Sequence, residues 1–271
     1  MGLNEARRKQ RTIGKTGIMT EALKSEETTH IGYRRISREE KTRWVRRQFD
    51  TVAARYDLMN TLLSFGIHYL WKRRAVSLLD LKPGDAVLDV CGGTGDLAVS
   101  ALRRVGAGGK VVLYDINREM MNAGRKKGTH PHLRRRIRFL QGDAERMALR
   151  DNVFDAAIVG FGIRNLTDMM AGFREMHRVL KPGGRTVCLE FSRPTAPLFQ
   201  WMYDRYSFHV MPWLGERLTG SRQAYTYLPE SIRMFPDPDA LAKQLAAVGF
   251  SNVAYWKLTN GVAVIHKGLK A

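Results

Sequence analysis

Short apolar runs alternate with amphipathic stretches between residues 86 and 191 of the chain. The apolar runs predict strands near residues 86–91, 110–115, 136–141, 154–160 and 185–191. The stretches between them have helical spacing and predict helices near residues 95–105, 117–127 and 168–180. This alternation predicts an α/β fold with a doubly wound, mostly parallel sheet, which binds ligands at the carboxyl ends of its strands.

The C-terminal part of the chain predicts one more helix and two more strands. The helix begins after Asp237-Pro238, an N-cap followed by an N1 proline, and ends at Gly249. Strands follow at residues 251–258 and 262–267, joined by an Asn260-Gly261 pair that is typical of a tight hairpin. We therefore expect a seven-stranded sheet that ends in an antiparallel hairpin, as in Rossmann-like class I methyltransferases and unlike most dehydrogenases.

The remaining segments predict a tail and a lid around one domain. Residues 1–36 are polar, basic and aperiodic, which predicts a disordered tail. A single domain is expected over residues 37–271, and it begins with helices at residues 37–80 that are capped by Ser37 and broken at Gly66. Residues 194–236 form a long aromatic insertion, which we interpret as a lid that closes an apolar substrate pocket together with those first helices.

The formal net charge of +19 favours an anionic partner. The basic clusters lack interleaved aromatic residues, zinc spacing and a helix-turn-helix pattern, so no nucleic acid is expected as a partner. Anionic lipid headgroups are the favoured partner, with a merely solvated basic surface as the alternative. Homo-oligomerisation stays open.

The cysteines and the hydropathy of the chain indicate the cellular compartment in which the protein is expected. Cys91 and Cys188 both fall in predicted buried strands, where a reduced thiol acts as a small apolar side chain. No apolar run reaches the ~18 residues of a membrane span, so we expect a cytoplasmic protein, with a peripheral position on the inner face of the cytoplasmic membrane as the alternative. The histidines and cysteines show no metal-ligand spacing, and no metal is expected.

Residues 87–96 combine an apolar strand, a glycine turn and the start of a helix. Gly92, Gly93 and Gly95 let the backbone approach a ligand closely, and Thr94 lies among them. The turn also matches the dinucleotide pattern G-x-G-x-x-G/A, which keeps a nicotinamide-dependent enzyme as an alternative. Asp89 argues against it, because a carboxylate repels pyrophosphate but suits the cationic amino and sulfonium groups of S-adenosylmethionine.

Later strand ends supply further candidates for the cofactor site. Asp115 ends the second strand, where its carboxylate accepts hydrogen bonds from ribose hydroxyls or, alternatively, caps the next helix. Asp143 and the adjacent amide of Ala144 follow the third strand and are candidates for the adenine edge. After the fourth strand, the small Gly160 permits close approach to the cofactor. Arg164 and Asn165 are expected to project into the reaction space, the alternative being a solvated arginine beside a turn-forming asparagine.

From about Arg47 to its C-terminus, the chain resembles the ubiquinone/menaquinone biosynthesis C-methyltransferase family of the UbiE/MenG type. The residues that carry the resemblance are 49–60, 64–68, 88–97, 115–117, 161–165, 178–184, 206–209 and 227–232. Tyr56-Asp57 with Met59-Asn60, and Phe161-Gly162-Ile163-Arg164-Asn165, are specific to this family rather than general among methyltransferases.

The resemblance implies an S-adenosylmethionine-dependent C-methylation of a polyprenylated quinol ring, with demethylmenaquinol to menaquinol as the expected reaction. It implies cofactor contacts at Thr94, Asp115 with its neighbour Ile116, Asp143 and Ala144. The position of Gly160 is commonly serine in the family, so only a backbone contact is expected there. The ubiquinone-pathway methylation, a nucleic-acid methyltransferase and a nicotinamide-dependent quinone reductase are the alternatives.

Methyl transfer to a ring carbon requires deprotonation of the neighbouring phenol, and therefore a base. Asp57 and His209 are candidates for this base by residue type. The resemblance adds Tyr56 as a further candidate catalytic residue, without assigning it the role of the base. Arg164 is too basic to accept the proton itself, but its charge can stabilise the phenolate or polarise a water, while Asn165 orients the hydroxyl. This chemistry requires the reduced quinol as the substrate.

Overall fold

The computed structural model describes residues 28–271. Its strands are β1 (Thr28–Ile31), β2 (Arg34–Ser37), β3 (Ala86–Val90), β4 (Lys110–Asp115), β5 (Ile137–Gln141), β6 (Phe154–Gly160), β7 (Leu180–Phe191), β8 (Phe250–Leu258) and β9 (Ala263–Lys270). Its helices are α1 (Arg38–Val52), α2 (Tyr56–Leu63), α3 (Ile67–Leu78), α4 (Asp96–Val105), α5 (Arg118–Lys126), α6 (Pro131–Arg134), α7 (Met169–Val179), α8 (Pro197–Arg205), α9 (Met211–Thr219), α10 (Arg222–Met234) and α11 (Pro238–Val248).

The central sheet has seven strands in the order β5-β4-β3-β6-β7-β9-β8. All pairs from β5 to β7 are parallel, and β9 is antiparallel to both β7 and β8. The predicted α/β fold is therefore confirmed, including the antiparallel C-terminal strands. The chain reverses its direction of winding at β3, and the crevice at such a point is where doubly wound folds bind ligands.

Each face of the sheet carries an apolar core. Helices α3 and α4 pack on one face with Trp71, Ala98 and Leu102 among the buried residues, and helices α7 and α11 pack on the other with Phe173 and Leu245. Since both faces are covered, the parallel strands are apolar throughout, which is why the sequence showed them as runs rather than alternations.

The N-terminal segment corrects one prediction. Residues 28–36 belong to a β1–β2 hairpin with Thr28 opposite Ser37, so this part of the predicted tail is ordered. Residues 1–27 lie outside the described residues. Ser37 caps α1 as predicted, since its hydroxyl accepts a hydrogen bond from the Glu40 backbone N–H at 3.2 Å. The predicted break at Gly66 lies between α2 and α3, with a φ of 75° at that glycine.

The aromatic insertion is helical. Helices α8 to α10, with a single π-helical turn at Tyr206–Val210, pack on α1 and α2 through a third apolar cluster. Val52, Met59 and Leu63 from the first helices meet Met211 and Tyr225 of the insertion in that cluster. No helix within residues 28–271 is long and apolar enough to cross a membrane.

Candidate active site

The carboxyl ends of β3, β4 and β6 converge on a polar pocket. Of the residues predicted to bind the cofactor, those that line this pocket are Asp89, Gly92, Gly93, Thr94, Asp115, Ile116 and Gly160. A Cβ atom on Gly92 would lie 2.5 Å from the Leu113 side chain and 3.0 Å from the Asp89 carboxyl group. The glycine turn is thus as tight as the sequence predicted, because no larger residue fits between β3 and β4.

One carboxylate oxygen of Asp89 accepts a backbone hydrogen bond, and the other has no hydrogen-bond partner among the described residues. Its Oδ2 atom accepts a hydrogen bond from the Ala98 backbone N–H at 2.9 Å, in the first turn of α4. Its Oδ1 atom is buried and has no partner among the described residues. Burial raises the pKa of Asp89 to about 8. A cationic group beside Oδ1 would satisfy this oxygen and stabilise the ionised carboxylate.

Asp115 holds two loops together at the edge of the same pocket. Its Oδ2 atom accepts from the Gly93 backbone N–H at 2.8 Å and its Oδ1 atom from the Asn117 backbone N–H at 2.7 Å. The cap of α5 is Asn117, whose side chain accepts from Met120, so the alternative role of Asp115 as that helix's N-cap does not apply. Burial raises the pKa of Asp115 to about 6. Each carboxylate oxygen retains a second acceptor site for a ribose hydroxyl.

Three predicted cofactor residues lie outside the pocket lining. Gly95 is the N-cap of α4 with a φ of 81°, so it shapes the turn without facing the ligand space. The Asp143 Oδ1 atom accepts a hydrogen bond from the Glu145 backbone N–H at 2.9 Å, and Ala144 is packed in the core. The proposed adenine contacts of Asp143 and Ala144 therefore stay predictions without support from the shape of the pocket.

A second, apolar pocket of about 350 Å³ lies beside the first. It is enclosed by α1, α2 and α3 together with the helical insertion, in the position that the sequence predicted for a substrate pocket. Among its described lining residues, Arg164 alone carries a formal charge. The other polar groups of the described lining are hydroxyls, amides, the indole N–H groups of Trp44 and Trp71, and the imidazole of His68.

Arg164 is held in place by a buried ion pair. Its Nη1 atom lies 2.6 Å from the Glu190 Oε1 atom and also donates to the Phe161 carbonyl at 2.7 Å. Both side chains are almost fully buried. Burial alone would lower the pKa of Arg164, but the Glu190 carboxylate outweighs it and raises that pKa. The guanidinium therefore stays protonated within an apolar pocket.

Four side chains line both pockets and form the wall between them: Phe49, Tyr56, Phe161 and Asn165. Asn165 is oriented by Tyr227, whose hydroxyl donates to the Asn165 Oδ1 atom at 3.1 Å. Phe161 has a φ of 59°, an uncommon value for a non-glycine residue, as the chain turns from β6 toward Arg164. A group bound in one pocket therefore meets a group bound in the other at these four side chains.

Asp57 and His209, both predicted as candidate bases, do not line the apolar pocket. The Asp57 Oδ1 atom accepts from the Thr94 hydroxyl at 2.8 Å, and its Oδ2 atom pairs with Lys127 at 2.8 Å, so α2 is tied to the glycine turn. His209 is exposed on the π-helical turn. Since neither side chain lines the apolar pocket, neither is placed to act directly on a group bound there.

The sequence analysis gave no role to two residues that the structure places at the apolar pocket. His68 lines the pocket, and burial followed by the charge of Lys72 lowers its pKa to about 4, so its imidazole is neutral. Its Nδ1 atom has no partner among the described residues. Glu190 does not line the pocket itself, but its carboxylate forms the buried ion pair that holds Arg164 in place. A signal for Glu190 was present in the sequence, since an acidic residue inside an apolar strand requires a buried partner.

The cysteine prediction is correct for one residue only. Cys188 is buried in β7, whereas Cys91 follows β3 in the turn, with a φ of 52° and partial exposure. Burial raises the pKa of both thiols well above the usual value, so neither is a reactive thiolate.

Known proteins resemble this chain along most of its length. The sequence model of the ubiE/COQ5 methyltransferase family matches residues 35–270. Ubiquinone/menaquinone biosynthesis C-methyltransferase UbiE of Escherichia coli O1:K1 / APEC is 45% identical over 247 residues, which cover 91% of this chain and 98% of that protein. The protein of the same name from Shigella boydii serotype 18 gives the same values, 45% identity over 91% of this chain and 98% of that protein.

Solved structures with a similar fold are more distant in sequence. A SAM-dependent methyltransferase of Thermotoga maritima, described as a possible histamine N-methyltransferase, superposes with a TM-score of 0.58 at 20% identity and covers 83% of this chain and 99% of its own. A SAM-dependent methyltransferase of Aquifex aeolicus superposes with a TM-score of 0.54 at 19% identity, over 74% of this chain and 89% of its own. At these identities the similarity establishes the fold and not the substrate.

Proposed function

This chain belongs to the ubiE/COQ5 methyltransferase family and is a methyltransferase, and we propose that it methylates a ring carbon of a polyprenylated quinol with S-adenosylmethionine. The substrate that we propose is demethylmenaquinol, which becomes menaquinol. The relatives are named for both the ubiquinone and the menaquinone pathways, so the benzoquinol of the ubiquinone pathway is the second candidate.

One observation carries this proposal: among the described residues that line the apolar pocket, the only formal charge is a buried, permanently charged guanidinium, and this pocket adjoins a polar one. An apolar pocket with a few convergent polar groups suits a quinol ring and its isoprenoid chain. A cation in such surroundings acts on a negative charge that develops at the ligand, because the low local dielectric strengthens the interaction.

The residues of the polar pocket fit the cofactor. Asp89 offers an unpartnered buried oxygen to a cationic group, Asp115 offers acceptor sites to ribose hydroxyls, and Gly92 leaves no room for a side chain. When bound, S-adenosylmethionine supplies a methyl group on a positively charged sulfur. The four-residue wall would hold the nucleophilic ring carbon in line with that methyl group and exclude water from the path.

The residues of the apolar pocket prepare the ring. Arg164 lowers the pKa of the quinol hydroxyl by stabilising the phenolate, which makes the neighbouring ring carbon nucleophilic. Burial raises the pKa of Tyr227 to about 12, so this phenol remains protonated and keeps its hydrogen bond to Asn165. The Asn165 amide then orients the substrate hydroxyl. Because Asp57 and His209 do not line the apolar pocket, we propose that the hydroxyl proton passes to solvent through a water hydrogen-bonded to Arg164. After methyl transfer, the hydrogen on the methylated ring carbon moves to the oxygen and restores the quinol.

A methyl-transfer assay tests the proposal. The purified protein is incubated with radiolabelled S-adenosylmethionine and a short-chain demethylmenaquinone, either reduced under anaerobic conditions or kept oxidised. We expect labelled menaquinone in the reduced sample alone, because the oxidised ring has no ionisable hydroxyl and little electron density. Equal labelling in both samples would contradict the phenolate mechanism.

A parallel reaction with a reduced benzoquinol that lacks its ring methyl group separates the two pathways. We expect a higher kcat/KM for the naphthoquinol. A preference for the benzoquinol would assign the chain to ubiquinone synthesis, and no labelling of either quinol would reject the proposed substrate class.

A further inference from the structure

Exposed apolar side chains of the described residues are concentrated on one part of the surface. Ten of them lie in two segments, residues 58–70 and 198–213, and together they form what we call the lid face: Leu58, Leu62, Phe65, Tyr69, Leu70, Leu198, Trp201, Met202, Val210 and Trp213. The two segments are adjacent in space, since the Phe65 and Tyr206 rings lie 6.2 Å apart and the Tyr206 hydroxyl donates to the Leu63 carbonyl at 3.0 Å.

Helix α8 shows how the lid face is arranged. No residue of this helix is buried. Phe199, Met202 and Tyr203 face the apolar pocket, while Leu198 and Trp201 on the other side are 73% and 58% exposed. A nine-residue helix with apolar side chains on both sides requires a second apolar environment beyond the pocket that it covers.

The entrance of the apolar pocket opens within the lid face. Phe65 and Met202 both line the pocket, and yet they are 81% and 54% exposed. They therefore mark the point where the pocket meets the surface. If the lid face is covered by an apolar phase, a long apolar ligand can pass from that phase into the pocket at this point.

The surroundings of the lid face are basic. Residues 53–74 and 197–222 contain seven Lys and Arg against three Asp and Glu. Lys72 is buried and paired with Asp96, so six of the seven basic residues remain for the surface. The Arg205 guanidinium lies over the Trp201 ring at 5.4 Å, and that of Arg217 over the Trp213 ring at 5.3 Å. Tryptophan and arginine side chains each have an apolar part and a polar end. Both are therefore suited to the boundary between the acyl chains and the headgroups of a membrane.

We infer that the lid face docks on the surface of a bilayer that contains anionic phospholipids. This inference rests on the proposed function, because a polyprenylated quinol dissolves in the bilayer and would enter the pocket at Phe65 without crossing water. A second copy of the chain fits the lid face less well. In a symmetric dimer both copies would contribute the same basic patch, so like charges would be brought together and repel, and the pocket entrance would be closed.

Vesicle flotation tests the inference with the full-length protein. The vesicles consist of phosphatidylcholine alone or of phosphatidylcholine with phosphatidylglycerol, contain no quinol, and are used at low and high salt. The variant Leu198→Ser/Trp201→Ser/Trp213→Ser removes three apolar side chains that do not line either pocket. Its matched control is Leu140→Ser/Val153→Ser, which changes two exposed apolar residues that lie outside the two segments of the lid face.

We expect the wild type and the control to bind the anionic vesicles and to lose part of that binding at high salt. The lid-face variant should bind at least about tenfold more weakly, since burial of three large apolar side chains is lost. Correct folding of this variant is shown by unchanged binding of S-adenosylmethionine and unchanged methylation of a short-chain quinol in solution.

Equal vesicle binding by the lid-face variant and the wild type would overturn the inference. A different result would assign the lid face to a second copy of the chain: the wild type does not bind vesicles and sediments as a dimer, and the lid-face variant sediments as a monomer. Because the vesicles contain no quinol, the binding result is independent of the methyl-transfer assay, so a failure of one proposal is distinguishable from a failure of the other.

Discussion

The polar pocket and the apolar pocket share four side chains, but they are assembled from different parts of the chain. Most of the polar pocket is built by the turns that follow β3, β4 and β6. The apolar pocket joins α1 to α3 with an insertion that begins more than 100 residues later and with the loop between β8 and β9. The shape of the polar pocket depends on the rigid sheet. The shape of the apolar pocket depends on the packing of helices that are distant in sequence.

The two pockets also differ in charge. The polar pocket is lined by three carboxylates, those of Asp89, Asp96 and Asp115, and by two basic side chains, Arg46 and Lys72. Among the described residues that line the apolar pocket, Arg164 alone is charged. A negative site binds a cationic cofactor, and a positive site stabilises an anionic ring. The difference assigns cofactor binding to the polar pocket and activation of the substrate to the apolar pocket. Variants in the polar pocket should therefore lower cofactor affinity, and variants in the apolar pocket should lower kcat.

The largest effect is expected from Arg164→Met. Removal of a charge that acts on the developing phenolate should lower kcat by about 10²- to 10³-fold, while the Kd for S-adenosylmethionine changes little. Steady-state kinetics with a short-chain quinol and calorimetry with the cofactor measure the two quantities. Similar losses in both would place Arg164 in the cofactor pocket and break the comparison.

The double variant Arg164→Met/Glu190→Leu controls for stability. Arg164→Met alone leaves the Glu190 carboxyl group buried without its partner, which costs about 3–5 kcal/mol if the charge persists. Removal of both groups should restore much of the free energy of unfolding but not the activity. Recovery of activity in the double variant would show that the loss in the single variant came from misfolding.

Asp115→Ala should weaken binding of S-adenosylmethionine by about 1.5–3 kcal/mol, because the ribose hydroxyls lose a charged acceptor. The KM for the quinol should stay within about twofold, since the apolar pocket is unchanged. The matched control is Asp239→Ala, which removes an exposed carboxylate that lines neither pocket. Calorimetry that finds equal losses for the two variants would contradict a direct contact between Asp115 and the cofactor.

The pH dependence of cofactor binding should follow Asp89, whose pKa burial raises to about 8. A cationic ligand prefers the ionised carboxylate, so its affinity should rise about fivefold between pH 7 and pH 8 as Asp89 ionises. Conversely, the ligand-free protein binds a proton at Asp89 more tightly than the unfolded chain does, so this contribution to stability is lost as the pH rises from about 4 to 8.

Titration calorimetry of the wild type and of Asp89→Asn measures the pH effect. The variant should bind more weakly and show a flatter profile over the same interval, because it has no carboxyl group to ionise at this position. Parallel profiles for the two proteins would assign the titration to another group.

The smallest effect is expected from Tyr227→Phe, which removes the hydrogen bond to Asn165 at the wall between the pockets. A neutral hydrogen bond contributes about 0.5–1.5 kcal/mol, so kcat should fall about threefold with the cofactor affinity unchanged. Kinetics at saturating cofactor measure this change. A loss as large as that of Arg164→Met would mean that Tyr227 contacts the substrate directly.

Much of the sheet and of the polar pocket could be predicted because both depend on local patterns. The residues from Asp89 to Thr94 are contiguous in the chain, and parallel strands bring Asp115 and Gly160 to the same edge. The candidate bases were less predictable. Residue type showed that Asp57 and His209 could accept a proton, but the direction in which each faces depends on how α2 and the insertion pack, which no short-range pattern encodes.

Two other errors have similar physical causes. The β1–β2 hairpin was missed because a two-stranded sheet of mostly polar residues lacks an apolar alternation. Glu190 was overlooked because a carboxylate in a buried strand gains its role only from Arg164, which is 26 residues away along the chain. Contacts of this kind become visible only in the folded structure.

The wall of Phe49, Tyr56, Phe161 and Asn165 also makes each ligand an effector of the other. Since these side chains contact both ligand spaces, any adjustment that one ligand imposes on them alters the free energy with which the other binds. Linkage then requires that the coupling be reciprocal: the factor by which the quinol changes the cofactor affinity equals the factor by which the cofactor changes the quinol affinity. Turnover converts the sulfonium of the cofactor into a neutral thioether, so the loss of this one positive charge should also change the affinity of the apolar pocket for the quinol.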